Sequence, residues 1–389
     1  MNKQSFKQLK HLIAHLPKSK ILAGESVPNG QYRFYLSGQK KDRINVAISN
    51  QDAIIMGDGG VANIDFAKGK YSYSSHNFGF FSNNKNVDTE YIYRAIEQFL
   101  PVLDYKGFVG SGLKNIDKSF LFDLYIQIPP LQEQKKIASI LASVDEVIEN
   151  TQRQINKLQD LKKATMNELL TKGIGHSDFK DSGLGQIPKN WKITTLENIG
   201  DFTKGKGISK KEITPEGMPC IRYAEIYTEY NYVIDKFKSF ISTKTVNTTK
   251  KLKTNDIIFA GSGETVEDIG KSVAFVSNFD AYVGGDTIIF SPNIKCNSVF
   301  LSYQLNDDLR RTQLRKFGQG SSVIHIYSSG IKQLKIGLPP ITEQNKIANC
   351  LLSFTKIINA KIKKLVQIQS LKKSLMQNLL TGKVRVKVK

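Results

Sequence analysis

The sequence is poor in cysteine and tryptophan, and it has no long apolar run. Only three cysteines and a single tryptophan occur among 389 residues. Cysteines this few and scattered exclude a disulfide framework or a paired-cysteine metal site, and they favour inert thiols in a reducing compartment. No apolar stretch approaches the ~20 residues of a membrane span, and the first residues lack the apolar core and cleavage site of a signal peptide. We therefore expect a cytoplasmic protein.

Acidic residues are also scarce relative to basic ones. The chain carries 56 lysines and arginines against 35 aspartates and glutamates, a formal net charge of +21. A surplus of this size attracts a polyanion, and nucleic acid is the default partner. Residues 341–389 hold eleven basic residues and one acidic residue, so nearly half of the surplus lies there. A second interpretation stays open, in which part of this charge faces an acidic partner protein or the solvent.

The chain contains an internal duplication. Residues 128–173 recur without a gap as residues 338–383, and 18 of the 46 aligned positions are identical. Duplication of this kind predicts a quasi-symmetric molecule that presents two similar surfaces. Shorter blocks before each copy also match, namely 52–59 with 256–263 and 106–130 with 316–340.

Both copies read as long helices with a narrow apolar seam. The apolar residues alternate at steps of four and three, which is the spacing of a coiled coil. A Pro-Pro pair precedes each copy and suits a helix start, and about 40 residues would span roughly 60 Å. We expect the two helices to pair with each other, although a helix lying on a globular core remains an alternative. The predicted seam residues are Ile137, Leu141, Val144, Ile148, Ile155, Leu158, Ile347, Leu351, Phe354, Ile358, Leu365 and Ile368.

The segments before each helix copy read as mixed α/β lobes. Alternating apolar runs predict strands at 44–48, 54–56, 257–260 and 272–276, and helices are predicted at 91–103 and 299–317. The second lobe is the longer one, and we assign its extra residues to surface loops. The predicted organisation is a first lobe at 1–127, a first helix at 128–173, a Gly-rich connector at 174–195, a second lobe at 196–337, a second helix at 338–383 and a basic tail at 384–389.

Several fragments resemble catalytic or ligand-binding motifs without completing them. Residues 108–112 fit the FxGxG of methyltransferases, but the duplicate at 317–321 breaks the spacing and no NPPY-like tetrapeptide occurs. A Gly-Lys-Ser sequence at 270–272 lacks the leading glycine of a phosphate loop. His11 and His15 could share a helix face, yet no third metal ligand accompanies them. We interpret these fragments as turns and structural histidines, and we predict neither a catalytic site nor a metal site.

The residues around each helix start carry a family resemblance. PPLQEQKKIA and PPITEQNKIA open the two helices, which end in LLTKG and LLTGK, and FKDSGLGQIPKNWKITTLENIGDFTKGKG leads into the second lobe. Over essentially the whole chain, this combination resembles the specificity subunit of type I DNA restriction-modification systems. A GxIPxxW segment like the one that ends at Trp191 is missing before the first lobe.

The resemblance implies a division of labour among subunits. Each lobe would be a target recognition domain that reads one half of a bipartite DNA site, and the two helices would pair antiparallel as a spacer. Two modification subunits would dock beside the helices and bring S-adenosylmethionine for adenine methylation, so this chain would bind no cofactor itself. Motor and nuclease subunits would complete the restriction complex.

Basic and amide side chains in the lobes are the candidates for DNA contact, because lysine and arginine bind phosphates, arginine reads guanine and glutamine reads adenine. We expect the lysines to contact phosphates, and a flexible basic tail to neutralise phosphates without selecting sequence. Tyr71 and Lys253, which lie next to these groups in the sequence, are further candidates. The predicted DNA-binding residues are Lys40, Lys41, Arg43, Lys68, Lys70, Lys106, Lys114, Lys204, Lys206, Lys210, Lys211, Arg222, Lys250, Lys251, Arg315, Lys316, Gln319 and His325.

Two other classes of function stay open from the sequence. One is a self-sufficient DNA methyltransferase or nuclease, which methyl transfer by the isolated chain would reveal. The other is a coiled-coil adaptor with no DNA role, which a salt-dependent binding titration would expose. The target bases follow from loop conformation and are recorded in no motif.

Overall fold

The computed structural model describes residues 6–38, 41–112, 114–265, 267, 269–321 and 323–387. The chain divides into two compact units. Met1–Gln154 together with Lys361–Lys389 form the first unit, and Ile155–Ala360 form the second. Each unit therefore combines one globular lobe with parts of both long helices.

The helices include the two long ones that the duplication predicts. These are α4 and α10, and the shorter helices belong to the lobes. In chain order the helices are α1 Thr89–Glu97, α2 Leu100–Val102, α3 Lys118–Phe122, α4 Leu131–Lys172, α5 Tyr223–Thr228, α6 Thr243–Val246, α7 Ser298–Leu305, α8 Asp308–Arg315, α9 Ser328–Lys332 and α10 Ile341–Leu379.

The first lobe is built on a four-stranded antiparallel sheet of order β2-β8-β5-β6 and a three-stranded sheet of order β4-β3-β7. Two short pairs, β1 with β11 and β9 with β10, complete it. The strands are β1 Phe6–Gln8, β2 Ile13–His15, β3 Tyr32–Tyr35, β4 Lys41–Ile44, β5 Ala53–Gly57, β6 Ile64–Ala67, β7 Tyr71–Tyr73, β8 Asn77–Ser82, β9 Phe108–Val109, β10 Asn115–Ile116 and β11 Tyr125–Gln127.

The second lobe repeats this plan with additional strands. Its four-stranded sheet has the order β15-β24-β20-β22, and its larger sheet has the order β16-β18-β17-β23-β19. The strands are β12 Phe179–Ser182, β13 Gly185–Pro188, β14 Lys192–Thr195, β15 Gly200–Lys204, β16 Ile213–Thr214, β17 Met218–Ile221, β18 Ser239–Ile241, β19 Lys250–Lys251, β20 Ile257–Ala260, β21 Ser262–Gly263, β22 Ser272–Ala274, β23 Tyr282–Val283, β24 Thr287–Pro292, β25 Ile324–His325 and β26 Lys335–Leu338.

The matching strand orders show where the second lobe is longer. In both lobes a central strand, β5 or β20, lies between two antiparallel neighbours. The three-stranded sheet of the first lobe and the five-stranded sheet of the second lobe each contain one parallel pair, β3 with β7 and β17 with β23. The second lobe adds β16 and β19 at the two edges of that sheet. Its extra length is thus partly edge strands, where we had expected loops alone.

Each lobe shares its hydrophobic core with the beginning of one long helix and the end of the other. In the first unit, Ile137 of α4 and Leu379 of α10 lie in one cluster with lobe residues such as Phe80. In the second unit, Ile347 of α10 and Leu170 of α4 lie in one cluster with the lobe residues, Trp191 among them. Burying each large apolar side chain contributes about 1.5–3 kcal/mol. This shared burial keeps the helix ends in place.

A buried glutamine fixes the start of each long helix. The Gln134 side chain accepts a hydrogen bond from the Asp88 amide N–H at 2.8 Å and donates one to the Pro129 carbonyl at 2.7 Å. Its duplicate Gln344 accepts from the Asn297 N–H at 2.9 Å and donates to the Pro339 carbonyl at 2.8 Å. Asp88 and Asn297 are the N-caps of α1 and α7. The repeated glutamine therefore ties each long helix to a lobe helix.

The helices run antiparallel within each unit. In the first unit, Lys372 of α10 contacts Asp145 of α4 at 2.7 Å, and Lys361 donates to Gln154 at 2.7 Å. The residue numbers rise along one helix as they fall along the other. In the second unit, Lys162 of α4 donates to Thr355 of α10 at 2.9 Å. The prediction of two paired antiparallel helices beside mixed α/β lobes is confirmed.

Some local predictions were wrong. The strand expected at 44–48 ends at Ile44, because the Asn45 side chain instead accepts the Gln31 N–H at 3.2 Å. The helix expected at 299–317 is divided between α7 and α8, because Asp307 caps α8 by accepting the Arg310 N–H at 2.7 Å. His11 and His15 share no helix, since His15 lies in β2.

The segment expected to be a connector is folded into the second unit. β12 and β13 form a hairpin, and β14 pairs antiparallel with β26. Trp191, which is 1% exposed, lies between these two features. The corresponding pair in the first unit is β1 with β11.

Candidate nucleic-acid interface

Each lobe has a polar tip where two loops meet beyond its central strand. We define the first tip as the described residues of 57–61 and 106–116 with the neighbouring Asn63 and His76, and the second tip as the described residues of 261–265 and 315–326 with the neighbouring Lys204 and Asp286. Gly110 and Gly320, at matching positions, have φ of +140° and +125°, a region that favours glycine. A Cβ at Gly320 would lie 2.2 Å from the Val323 carbonyl oxygen. The FxGxG-like fragment is therefore a turn of the first tip.

Backbone hydrogen bonds hold the two loops of the first tip together. The Gly60 N–H donates to the Lys114 carbonyl at 2.9 Å, and the Ile116 N–H donates to the Asp58 carbonyl at 2.9 Å. A cavity of about 530 Å³ opens at this tip. Its polar lining includes Ser37, Asp58, Asn63, His76 and Asn115. Such side chains supply both donors and acceptors, as base-edge reading requires.

The second tip repeats the loop pairing with different side chains. β21 pairs with β25, and the Ser262 hydroxyl lies 2.9 Å from Nδ1 of His325. Gln319 and His325 exchange two backbone hydrogen bonds of 2.9 and 2.7 Å. A smaller cavity, about 100 Å³, is lined here by Lys204, Ser262, Asp286, His325 and Tyr327, among others. The two tips share a backbone plan and differ in chemistry.

The predicted residues of the second lobe gather only in part. Arg315 ends α8, Lys316 follows it, and both are exposed in the second tip, which also carries Gln319 and His325. Lys204 lines the same cavity as His325. Within the part of the chain that the structure describes, Lys204, Arg315 and Lys316 make no side-chain hydrogen bond or ion pair, so their charges are available to a ligand.

Other predicted residues of the second lobe lie elsewhere. Arg222 pairs with Glu225 at 3.3 Å, and Lys251 pairs with Asp280 at 2.7 Å, a contact that raises the pKa of Lys251. Exposed residues in the remaining segments are Lys206, Lys210, Lys211 and Lys250. A lysine already paired within the protein is a weaker candidate for phosphate contact.

In the first lobe, Lys106 and Lys114 belong to the tip and are exposed. The Arg43 side chain donates to the carbonyl oxygens of Gly30 and Gln31, so it closes a local turn. Lys68 contacts Glu90 at 3.4 Å, and Lys70 is exposed nearby in sequence. Lys40 and the side chain of Lys41 lie outside the described residues.

Sequence reasoning missed the uncharged and acidic residues of the tips, such as Asp58, Asn63 and His76 in the first and Ser262 and Asp286 in the second. The predicted set consists mainly of lysines and arginines, because positive charge was its main criterion. The available signal was the matched glycine-flanked pair of segments at 57–59 and 261–263, which marks equivalent turns in the two lobes.

The predicted seam residues are all buried or half-buried. Ile137, Leu141, Ile347 and Leu351 are fully buried, and they lie in the lobe cores as well as against the helices. The central seam residues that are also buried are Ile155, Ile358 and Leu365, and the half-buried ones are Val144, Ile148, Leu158, Phe354 and Ile368.

The long helices also expose apolar residues, and four of these occupy one heptad position. With Leu141 and Ile148 at heptad position a, Val147 and Leu161 of α4 fall at position g, and Ile357 and Leu371 do so on α10. These four side chains are 45%, 52%, 47% and 53% exposed, in that order. Asp145 and Thr355, at position e, instead contact the lobes through Arg94 and Tyr303. Ile362 and Val366 of α10 are also exposed, at positions e and b, and have no exposed apolar partner at the matching positions of α4.

The exposed flank is duplicated as well. Val147 corresponds to Ile357 in the repeat, and Leu161 to Leu371. Val147 and Leu371 belong to the first unit, whereas Leu161 and Ile357 belong to the second. In an antiparallel coiled coil g positions adjoin g positions, so each unit carries one such apolar pair.

Neither a metal cluster nor a membrane span is found among the described residues. No group of three or more histidine, cysteine, aspartate or glutamate side chains there could hold a metal ion. No helix in the described ranges is long and apolar enough to cross a membrane.

Known proteins similar to this chain share both its sequence and its fold. The MjaVIII and putative MjaX type I restriction enzyme specificity subunits of Methanocaldococcus jannaschii are both 30% identical to it, covering 88% and 78% of this chain and 81% and 70% of their own lengths. The crystal structure of a type I restriction-modification S subunit from M. genitalium has a TM-score of 0.67 at 16% identity, covering 98% of this chain and 97% of that one. The family model described as type I restriction modification DNA specificity domain matches residues 6–160 and 188–369. The chain belongs to this family of DNA specificity domains.

Proposed function

We propose that this chain is the non-catalytic subunit that reads a bipartite DNA target and directs adenine methylation and restriction by its partner subunits. The observation that carries the proposal is the pair of lobes with one backbone plan and two different polar tips. Reading of bases requires shaped surfaces with donors and acceptors, while the surrounding lysines hold phosphates. Two unlike tips suit two unlike half-sites.

The first tip offers Asp58, Asn63 and His76 beside the exposed Lys106 and Lys114. We propose that the polar groups contact base edges and that the two lysines contact phosphates. Phosphate contacts fix the orientation of a lobe on the duplex without selecting sequence.

In the second tip the equivalent reading groups are Gln319, His325 and Arg315, with Lys204 and Lys316 on phosphates. Arginine bonds to guanine and glutamine to adenine through paired hydrogen bonds in the major groove. These two residue types make the second tip the better-defined reader.

The long helices supply the partner sites in this proposal. Exposed apolar side chains on a helix flank indicate a protein contact, because removing their surface from water lowers the free energy. The pair Val147 with Leu371 and the pair Leu161 with Ile357 occupy equivalent repeat positions. Equivalent surfaces fit two copies of one partner, and the family resemblance assigns that partner as the modification subunit, which carries S-adenosylmethionine.

The experiment compares the chain alone with the chain plus its modification subunit. Each sample receives S-adenosylmethionine and genomic DNA, and the methylated adenines are mapped by single-molecule sequencing. We expect no methylation by the chain alone, and with the partner a single bipartite motif with two different halves. Methyl transfer by the chain alone, or methylation without a sequence motif, would refute the proposal.

A further inference from the structure

The C-terminal segment of the chain is docked in the first unit. The Arg385 guanidinium donates two hydrogen bonds to the Glu133 carboxylate, of 2.7 and 2.5 Å, and the Val386 N–H donates a third at 3.3 Å. The Glu133 side chain is only 6% exposed. Val386 packs against the core of the first lobe. A buried carboxylate is stabilised only when it is paired and hydrogen-bonded, as it is here.

The duplicate carboxylate in the second unit has a different occupant. Glu343 accepts hydrogen bonds from the Ile174 N–H at 2.9 Å and from Nε1 of Trp191 at 3.3 Å, and it lies 2.8 Å from Nε2 of His176. All three groups belong to the segment that follows α4. In the first unit, the segment at Glu133 follows α10. Each carboxylate thus holds the segment that leaves the other long helix.

A glycine with positive φ turns the backbone into each of the two segments. α4 is followed by Gly173 and α10 by Gly382, with φ of +66° and +67°. A Cβ at Gly173 would lie 2.3 Å from the Glu343 carboxylate, and one at Gly382 would lie 2.4 Å from the Gln127 side chain. Both positions therefore need glycine for the backbone conformation and for the close approach.

We propose that residues 382–387, the C-terminal latch, form a peptide ligand of their own chain that completes the first unit by binding Glu133 through Arg385. The latch takes the place that the segment before the second lobe occupies at Glu343. Because the tail was expected to be a free phosphate-binding extension, this is a different role for it.

The latch is joined to α10 by a short segment, since α10 ends at Leu379 and the latch begins at Gly382. Its binding to Glu133 is therefore an intramolecular event at an effective concentration on the order of millimolar. A separate peptide of the same sequence, supplied at a comparable concentration, should make the same contact when the latch is removed.

The test removes the latch and supplies it in trans. A chain ending at Thr381 is compared with the full chain by hydrogen exchange, with and without a peptide of residues 382–389. We expect the truncation to speed exchange about tenfold or more at 88–97 and 125–134, as the loss of charge-assisted hydrogen bonds implies. The intact peptide should restore protection, and a peptide carrying Arg385→Gln should not. Trp191 fluorescence should stay unchanged, because this residue lies in the second unit.

Full-length variants decide the matter if the truncated chain fails to fold. Arg385→Gln should increase exchange at the same amides, while Lys387→Gln, an exposed neighbour of equal charge, should leave it unchanged. The double exchange of Glu133→Arg with Arg385→Glu should recover part of the loss. Unchanged exchange in both the truncation and Arg385→Gln, or equal effects of Arg385→Gln and Lys387→Gln, would overturn the proposal.

Discussion

At the scale of single residues, the duplicated chain reuses positions and changes their chemistry. Glu133 is paired with an arginine, whereas Glu343 is bound by a histidine, an indole and a backbone N–H. Asn115 in the first tip corresponds to His325 in the second. The backbone plan tolerates these exchanges because the hydrogen bonds that define it are made by the main chain.

The Glu133 carboxylate gives the first unit a pH dependence with a predictable sign. The hydrogen bond from Arg385 lowers the pKa of Glu133, with burial opposing it. Its folded-state pKa lies below the unfolded value of about 4.3, so the pair stabilises the first unit above that pH and the stabilisation is lost as pH falls through the folded value. The difference in unfolding free energy between wild type and Glu133→Gln should be constant above about pH 5 and should shrink towards pH 3. A difference that does not change with pH would contradict this assignment.

Two residues of the second tip should set part of the DNA sequence preference. Replacing Arg315 or Gln319 with alanine should remove one of the base contacts proposed above, and such a contact is worth about 1–3 kcal/mol. We expect relaxed discrimination at one or two positions of one half-site, measured as methylation across single-base variants of the target at fixed salt. Lys250→Ala, an exposed lysine of β19, is the control and should weaken binding evenly if at all. If Lys250→Ala changed the sequence preference and neither tip variant did, the reading surface would not be the second tip.

At the scale of elements, different interactions stabilise the two helix–lobe junctions. Lys372 in the first unit contacts Glu97 at 2.5 Å and Asp145 at 2.7 Å, and Asp145 also pairs with Arg94. Its repeat partner Lys162 in the second unit lies 5.0 Å from the centroid of the Tyr232 ring and donates to Thr355. Burial lowers the pKa of Lys162. The first junction is ionic and the second is a cation–π contact.

The equivalent lysines should therefore respond differently to the same substitution. Lys372→Met leaves partly buried carboxylates less neutralised and should destabilise the first unit by roughly 1–3 kcal/mol. Lys162→Met keeps an apolar side chain against the tyrosines, loses a cation–π contact and relieves a desolvated charge, so the net change should stay under about 1 kcal/mol. Urea unfolding followed by Trp191 fluorescence reports the second unit, and hydrogen exchange reports the first. A larger loss from Lys162→Met would contradict the assignment.

The sequence predicts elements well where a regular apolar spacing repeats over many residues. It predicts them poorly where a single side chain changes the course of the backbone. The seam spacing of α4 and α10 persists over many turns, so both helices and their pairing could be anticipated. Asn45 and Asp307 ended or divided predicted elements by single side-chain hydrogen bonds that no periodicity records. The tips were half predicted: charge indicated Lys204 and Arg315, whereas Asn63 and His76 arrive from separate loops that only the folded chain brings together.

At the scale of the whole molecule, the repeated apolar flank should govern how many partner copies bind. Val147 and Leu161 are about half exposed, so an aspartate at either position should change folding stability by only about 0.5 kcal/mol. Each single variant should lose one copy of the modification subunit, and the double variant should lose both, as read from the mass of the complex in solution. The control is Ile294→Asp, which also replaces an exposed apolar residue with aspartate but lies outside the helices. It should leave the mass of the complex unchanged. Loss of both copies from one single variant would show that the sites are not independent.

The central claim is that two different readers act at a spacing that the two long helices set. Inserting one heptad in each helix, after Gln154 and after Ala360, preserves the seam and adds about 10.5 Å, or roughly three base pairs. The measurement is single-molecule mapping of adenines methylated by the variant chain with its modification subunit. The account predicts that both half-sequences stay the same and that the nonspecific spacer between them grows by about three base pairs. Methylated sites with the original spacer, or with changed half-sequences, would contradict it.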